Sequence, residues 1–313
     1  MVKTLNSFGQ KREPIFFVID FDLKNCFIEP LKSLSDDIHF SINQKKFQKL
    51  NKKIPYTFET ISLDQYKKAF DKVQEEIKCG NSYLLNLTFP SKIDINYSLK
   101  EIYDYTEARF KLYFKDKFVC FSPERFIKIK KNRIFTYPMK GTIDASIKDA
   151  KEKILSNQKE MAEHIMVVDL LRNDLSIVAK NVRVKKFRYI ESIKAGEREL
   201  LQVSSKIRGE LELNWQDRLG DILFKLLPAG SISGTPKKRS IEIIKEVESY
   251  ERGFFSGIFG VFDGDSLDSA VMIRFIEKKD NSFVYKSGGG ITLDSDFLSE
   301  YNELKEKIYV PFL

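Results

Sequence analysis

The stretch GIFGVFDGDSLDSAVMIRFIEKKDNSFVYKSGGG, residues 257–290, alternates apolar and polar residues and is punctuated by Asp263-Gly264 and Asp280-Asn281. A period of two puts the apolar side chains on one face of a pleated strand, and Asp-Gly or Asp-Asn supplies a tight turn. The stretch therefore predicts three strands running antiparallel. A second block, KFVCFSPERFIKIKKNRIFTYP from Lys117, reads as a hairpin that turns at Lys131-Asn132. Two more runs of strand length lie at Phe16–Asp22 and Tyr83–Phe89.

Between those two runs, SLDQYKKAFDKVQEEIKCG repeats its apolar residues Tyr66, Ala69, Phe70, Val73 and Ile77 at spacings of three and four. That spacing predicts a helix over Ser62–Lys78, stopped by Gly80. Further helices are expected from Ile147 to about Leu175, over Trp215–Leu226, over Pro236–Glu248 and over Asp296–Tyr309. Strands and helices are grouped rather than strictly alternating, which predicts the α+β class with antiparallel sheets. No Pro-, Gly- or Ser-rich linker interrupts the chain, so a single domain over residues 1–313 is expected.

With 42% apolar and 31% charged residues the chain can bury a core, which excludes disorder. No apolar run reaches the ~20 residues of a membrane span, and MVKTLNSFGQKREP lacks a signal peptide's apolar centre, so a cytoplasmic protein without membrane attachment is expected. Cys26, Cys79 and Cys120 are odd in number and far apart, which argues for reduced, structural thiols. The net charge of +8 is spread among acids without a basic stripe, so nucleic acid is not an expected partner. A noncatalytic polyanion-binding protein is the alternative of another class.

Several constellations carry candidate chemistry. Glu160 and Glu163, and likewise Glu300 and Glu303, stand three apart and share a helix face. Two such edges could hold a hard cation through oxygen, for which magnesium suits better than zinc; the same spacing also marks an ordinary solvated face. His39 and His164 are the only histidines, too few for a histidine metal site or a Ser-His triad, and His164 is expected to be packed or hydrogen-bonded. In PAGSISGTPKKRSIEIIKEV, Gly230 and Gly234 loosen the backbone, Thr235 is the expected N-cap and Pro236 the first helical residue. Together with Lys237 this forms either an anion site, for a carboxylate as readily as a phosphate, or a plain capped helix. Gly288, Gly289 and Gly290 permit positive φ, giving either a second anion nest or a tight turn. Lys140, at a strand end before Gly141, is a nucleophile only when neutral and is otherwise an exposed charge.

Taken in order, SPERF (122–126), PMKGT (138–142), AEHIMVVDLLRND (162–174), GSISGTPK (230–237) and GGGITLDS followed by SEYNE resemble the chorismate-utilizing enzymes. The resemblance runs from about Tyr83 to the C-terminus, over a core of residues 61–313 that follows a shortened N-terminal part, residues 1–60. It implies antiparallel sheets forming a central sandwich with helices packed outside. It further implies Mg2+ held by Glu163 and Glu303, and Glu160 and Glu300 around waters and the departing hydroxyl. Arg274, Lys237, Gly234 and Gly289, with Thr142, Thr235, Gly288 and Gly290, would bind the substrate's carboxylates.

Within that family, P-x-K-G-T resembles the aminodeoxychorismate synthases, where the lysine attacks C2 of chorismate; anthranilate and isochorismate-type members carry alanine there. Leu84 stands near where isochorismate and salicylate synthases place a water-activating lysine, and leucine cannot serve as that base. Gln202 in LLQVSSKIRGEL replaces a histidine linked to pyruvate elimination in anthranilate synthases. The resemblance thus implies 4-amino-4-deoxychorismate, for 4-aminobenzoate and folate synthesis, as product, with anthranilate as the alternative. Ammonia would come from a separate glutamine amidotransferase subunit, and the shortened N-terminus implies no tryptophan feedback.

Overall fold

The computed structural model describes residues 1–43, 55–195 and 198–311. They divide into two compact units, and the chain changes from one to the other after Ser35, Pro123, Gly230, Ser256 and Val271. All strand pairings among the described residues are antiparallel. No helix among them is long and apolar enough to cross a membrane, and all three cysteines are free thiols.

The first unit is built on a nine-stranded sheet. Its order is Met139–Asp144, Arg198–Glu210, Arg133–Thr136, Arg125–Lys130, Ser266–Val271, Ile258–Phe262, Ile15–Ile19 and Cys26–Pro30, with Lys180–Ala195 also paired to Arg198–Glu210. Ile15–Ile19 lies between two neighbours, and all five of its side chains are fully buried. Burying each such side chain contributes roughly 1.5–3 kcal/mol, which is why this run is continuously apolar rather than alternating. Trp215 is buried edge-on to Phe262, and its indole N–H donates to the Lys131 carbonyl at 2.7 Å. The expected Ile147–Leu175 helix is two helices, Ala150–Ser156 and Gln158–Ser176. They part at Asn157, whose side chain accepts from the Glu160 N–H and so starts the second helix.

The second unit carries an eight-stranded sheet in the order Gly234–Thr235, Leu84–Ile95, Ser282–Thr292, Phe275–Lys279, Phe118–Ser122, Phe110–Phe114 and Ile38–Ile42, with Tyr56–Glu59 also on Leu84–Ile95. The helix Leu63–Lys78 forms as its periodicity dictates, with Ser62 and Gln65 closing a capping box. Its buried Tyr66 meets Phe297 and Tyr301 of the helix Phe297–Glu306. A buried ion pair, Glu248 with Arg252, accepts the Thr88 N–H and gives the Asn86 and Ile232 carbonyls their donors. Residues 257–290 hold four strands, not the three expected, because the run from Ser266 breaks at Met272, where the chain changes units.

Candidate active site

In the first unit, the strand Met139–Asp144 pairs Met139 with Ser204 but Thr142 with Gln202, so one extra residue is accommodated around Lys140 and Gly141. Such a bulge bends a strand and re-aims a side chain. Gly141 takes φ +86°, which a residue with a Cβ resists. Behind the bulge packs the helix Gln158–Ser176. Glu163, 5% exposed, holds the Lys140 Nζ at 2.5 Å, while Lys159 lies 4.0 Å away on its other oxygen. A Cβ on Gly141 would stand 3.0 Å from Glu160 Oε2, so this carboxylate lies directly against the glycine. The unit thus gathers Lys140, Glu160 and Glu163; Thr142 follows two residues on, exposed and opposite Gln202.

His164 is fully buried, and its Nε2 lies 2.7 Å from Ser205 Oγ, as its expected packed role requires. Burial, aided by the Arg188 charge, pulls its pKa down to about 4, so the ring is neutral at pH 7.

In the second unit, Gly288, Gly289 and Gly290 are neither a nest nor a turn. They run within the strand Ser282–Thr292, paired with Thr88, Leu87 and Asn86, and none has positive φ. Their small size serves close approach instead. A Cβ on Gly288 would stand 2.2 Å from the Leu87 carbonyl oxygen, whereas one on Gly289 would meet Glu300 Oε2 at 3.4 Å, Lys307 Nζ at 3.5 Å and Glu303 Oε1 at 3.6 Å. The helix Phe297–Glu306, capped by Asp296, therefore presents both glutamates to Gly289. Buried Glu300 accepts from Ser295 Oγ at 2.8 Å, and Glu303 pairs with Lys307 Nζ at 2.5 Å. Lys307 also donates to the Gly288 carbonyl at 2.9 Å.

Arg274 is not in a strand as expected. It occupies the break before Phe275 with φ +53°, donates to the Lys307 carbonyl at 2.8 Å and stacks 4.8 Å over the Tyr309 ring. The helix Lys237–Val247 begins one residue later than expected: Pro236 is its N-cap, with no side-chain cap. Thr235 cannot cap it because its backbone is committed to the short strand Gly234–Thr235, paired with Leu85 and Leu84. Leu84 itself is buried.

Sequence reasoning overlooks Lys307 and Ser295, which hold the two glutamates. Lys307 stands four after Glu303 in SEYNELKEK, a signal present but indistinguishable from routine helix pairs.

The donor chemistry suits a hard cation. Glu163 and Glu303 each hold an ammonium at 2.5 Å, so each carboxylate faces a positive charge in its own unit. Among the described residues no group of three or more His, Cys, Asp or Glu side chains could hold a metal. Magnesium does not require one, since it keeps several waters and takes one or two carboxylates.

The profile of the family described as "chorismate binding enzyme" matches residues 15–312. The chain is 49% identical to the "Uncharacterized PabA-like protein" of Haemophilus influenzae, over 99% of this chain and 96% of that one. It is 30% identical to aminodeoxychorismate synthase component 1 of Bacillus subtilis, over 79% of this chain and only 54% of that longer protein. The crystal structure of anthranilate synthase component I from Streptococcus pneumoniae superposes with a TM-score of 0.66 at 26% identity, covering 81% of this chain and 59% of that one. With the profile spanning nearly its whole length, this chain belongs to the chorismate-binding enzymes.

Proposed function

We propose that this enzyme is an aminodeoxychorismate synthase component I, which converts chorismate and ammonia to 4-amino-4-deoxychorismate. The observation that carries the reading is Lys140, set on a bulged strand against the Glu160 and Glu163 carboxylates. The Lys140 amine adds to C2 of chorismate and sheds a proton, both conjugated ring double bonds shift by one position, and the C4 hydroxyl leaves as water with a proton from the Glu160 or Glu300 side. Ammonia then adds at C4 and loses a proton, both double bonds shift back, and Lys140 leaves C2 with its electron pair, regaining its proton. Before attack, Lys140 must part from Glu163 and give up a proton, because only the neutral amine is nucleophilic.

Glu163 and Glu303 are the carboxylates assigned to Mg2+, which when bound supplies a Lewis acid and a template for the ring carboxylate. Arg274, Lys237, Thr142, Thr235 and the backbone at Gly234 and Gly288–Gly290 are assigned to the substrate's carboxylates. The ammonia source is a glutamine amidotransferase subunit. Buried, apolar Leu84 supports amination over hydration, since it offers no base to activate water.

Product analysis with chorismate, Mg2+ and ammonium tests the reading. Aminodeoxychorismate is expected, becoming 4-aminobenzoate when a lyase is added. Fluorescent anthranilate without a lyase would identify an anthranilate synthase instead. Salt-sensitive polyanion binding without turnover would indicate the noncatalytic class. Lys140→Ala is expected to stay folded and lose most turnover; an active variant would eliminate the covalent route.

A further inference from the structure

The strand Gly234–Thr235 pairs with Leu85 and Leu84 over only two residues, a short ladder for a loop assigned to the substrate's carboxylates. Two more bonds lengthen it: the Tyr83 N–H donates to the Thr235 carbonyl at 2.8 Å, and the Asn86 N–H to the Ser233 carbonyl at 2.9 Å. Beyond them, the Ile232 carbonyl of the loop and the Asn86 carbonyl of the strand share one donor group. Carbonyls cannot bond to each other, so a donor has to bridge them. Arg252 does so, with Nη1 at 2.8 Å from the Ile232 oxygen and Nη2 at 2.7 Å from the Asn86 oxygen. The guanidinium is itself fixed by Glu248, the C-cap of the helix Lys237–Val247, which accepts its Nε–H at 2.8 Å and an Nη2–H at 2.6 Å. This two-point grip sets the plane of the fork. The same carboxylate accepts the N–H of Thr88 at 2.9 Å and its hydroxyl at 2.8 Å, and Thr88 is the register partner of Gly288. Buried Lys286, two residues before Gly288, donates to the Arg252 carbonyl at 3.0 Å. All of these residues belong to the second unit. The helix that starts at the loop thus ends at the carboxylate that aims the arginine back onto the loop.

We propose that Arg252 is a positioning residue for chorismate binding: gripped by Glu248, it fixes residues 232–235 against the strand that pairs with Gly288–Gly290, so that both backbone segments meet the substrate's carboxylates in one arrangement. The proposal rests on the assignment of those segments to the carboxylates, and it is the same whichever product forms. Desolvating two charges offsets much of their attraction, so a buried pair of this kind contributes fixed geometry more than net stability.

Arg252→Lys keeps the charge that buried Glu248 needs but offers a single ammonium, which cannot span two carbonyls and a carboxylate as the planar fork does. R252K is expected to fold and to raise KM for chorismate roughly 10- to 100-fold, the scale of one charge-assisted hydrogen bond. Its kcat should stay within a few-fold, because the carboxylates are held alike in the ground and transition states. Amide exchange over residues 83–86 should quicken, while that over Phe110–Phe114 stays as in the wild type. Should R252K not fold, the double variant Glu248→Gln with Arg252→Met leaves no charge of the pair buried and deletes the same donors, and the same rise in KM is expected. Lys111→Met is the reference, since it removes a buried cation that also serves two carbonyls of the second unit, those of Tyr103 and Thr106, outside the loop and its strand. K111M is expected to keep the wild-type KM. An unchanged KM in the folded Arg252 variant, or an equal rise in K111M, overturns the proposal. Lys237→Ala, which removes the loop's charge, tests the assignment beneath it. With KM unchanged in K237A the loop takes no part in substrate binding and the positioning role falls with it, whereas a rise in K237A without one in R252K overturns the role of Arg252 alone.

Discussion

Lys140→Met keeps the length and apolar stem of the lysine and removes its charge. Glu163, with a side chain 6% exposed, would then lose the ammonium 2.5 Å away and keep Lys159 at 4.0 Å. Breaking a buried ion pair from one side costs about 3–5 kcal/mol. Lys140 is itself 22% exposed and Lys159 remains, so the cost here is about 2 kcal/mol. For a chain of 313 residues that lowers Tm by roughly 3 °C. The assay is thermal melting in EDTA, with Glu163→Gln and the double variant completing a cycle. In the Glu163→Gln background the lysine substitution should cost almost nothing, because no buried charge is left behind. A cation bound at Glu163 would offset the loss, by about 2.7 kcal/mol at a hundred times its Kd, so added Mg2+ should raise the Tm of K140M more than that of the wild type. Equal melting of K140M and wild type in EDTA, or an equal loss in the E163Q background, would refute the account of the pair.

Two further outcomes follow from local geometry. Gly288→Ala should prevent or strongly destabilise folding, since its Cβ would stand 2.2 Å from a backbone oxygen, while Gly289→Ala should melt normally and raise KM for chorismate, its Cβ making ordinary contacts with Glu300, Glu303 and Lys307; comparing melting with kinetics for both checks this. Buried Lys111, donating to the Tyr103 and Thr106 carbonyls, has its pKa lowered to about 8 by desolvation. Because its folded value lies below the unfolded one, the unfolded chain binds more protons between the two, so stability should rise by about 2 kcal/mol from pH 7.5 to 9.5; urea titrations should show that rise flattened in Lys111→Met.

Local signals made much of this legible in the sequence. The helix Leu63–Lys78 carries its periodicity, its Ser62 cap and its stop in one contiguous run, and the structure follows it closely. The turns at Lys131-Asn132 and Asp280-Asn281 fall where expected, with Lys131 and Asp280 at positive φ. What was hidden depended on partners distant in the chain. Nothing local distinguishes Asn157 from its polar neighbours, yet it divides a helix. The glycine triplet reads as a turn until Leu84–Ile95 is seen to pair with it. Lys140 and Glu160 are twenty positions apart, and only the bulge and Gly141 bring strand and carboxylate together. Thr235 reads as a cap until Leu84 claims its backbone.

The pairing of Phe17 with Gly260 has a bearing on how the protein is made. A ribosome releases Ile15–Ile19, an entirely apolar strand, well before Ile258–Phe262, one of its two sheet neighbours. During that interval the nascent strand can pair with Cys26–Pro30 alone, and its other edge is open to foreign strands. Contacts this far apart in sequence also form slowly. The protein should accordingly depend on chaperones during translation more than its size suggests, and fragments ending before Gly257 should aggregate rather than form the first unit.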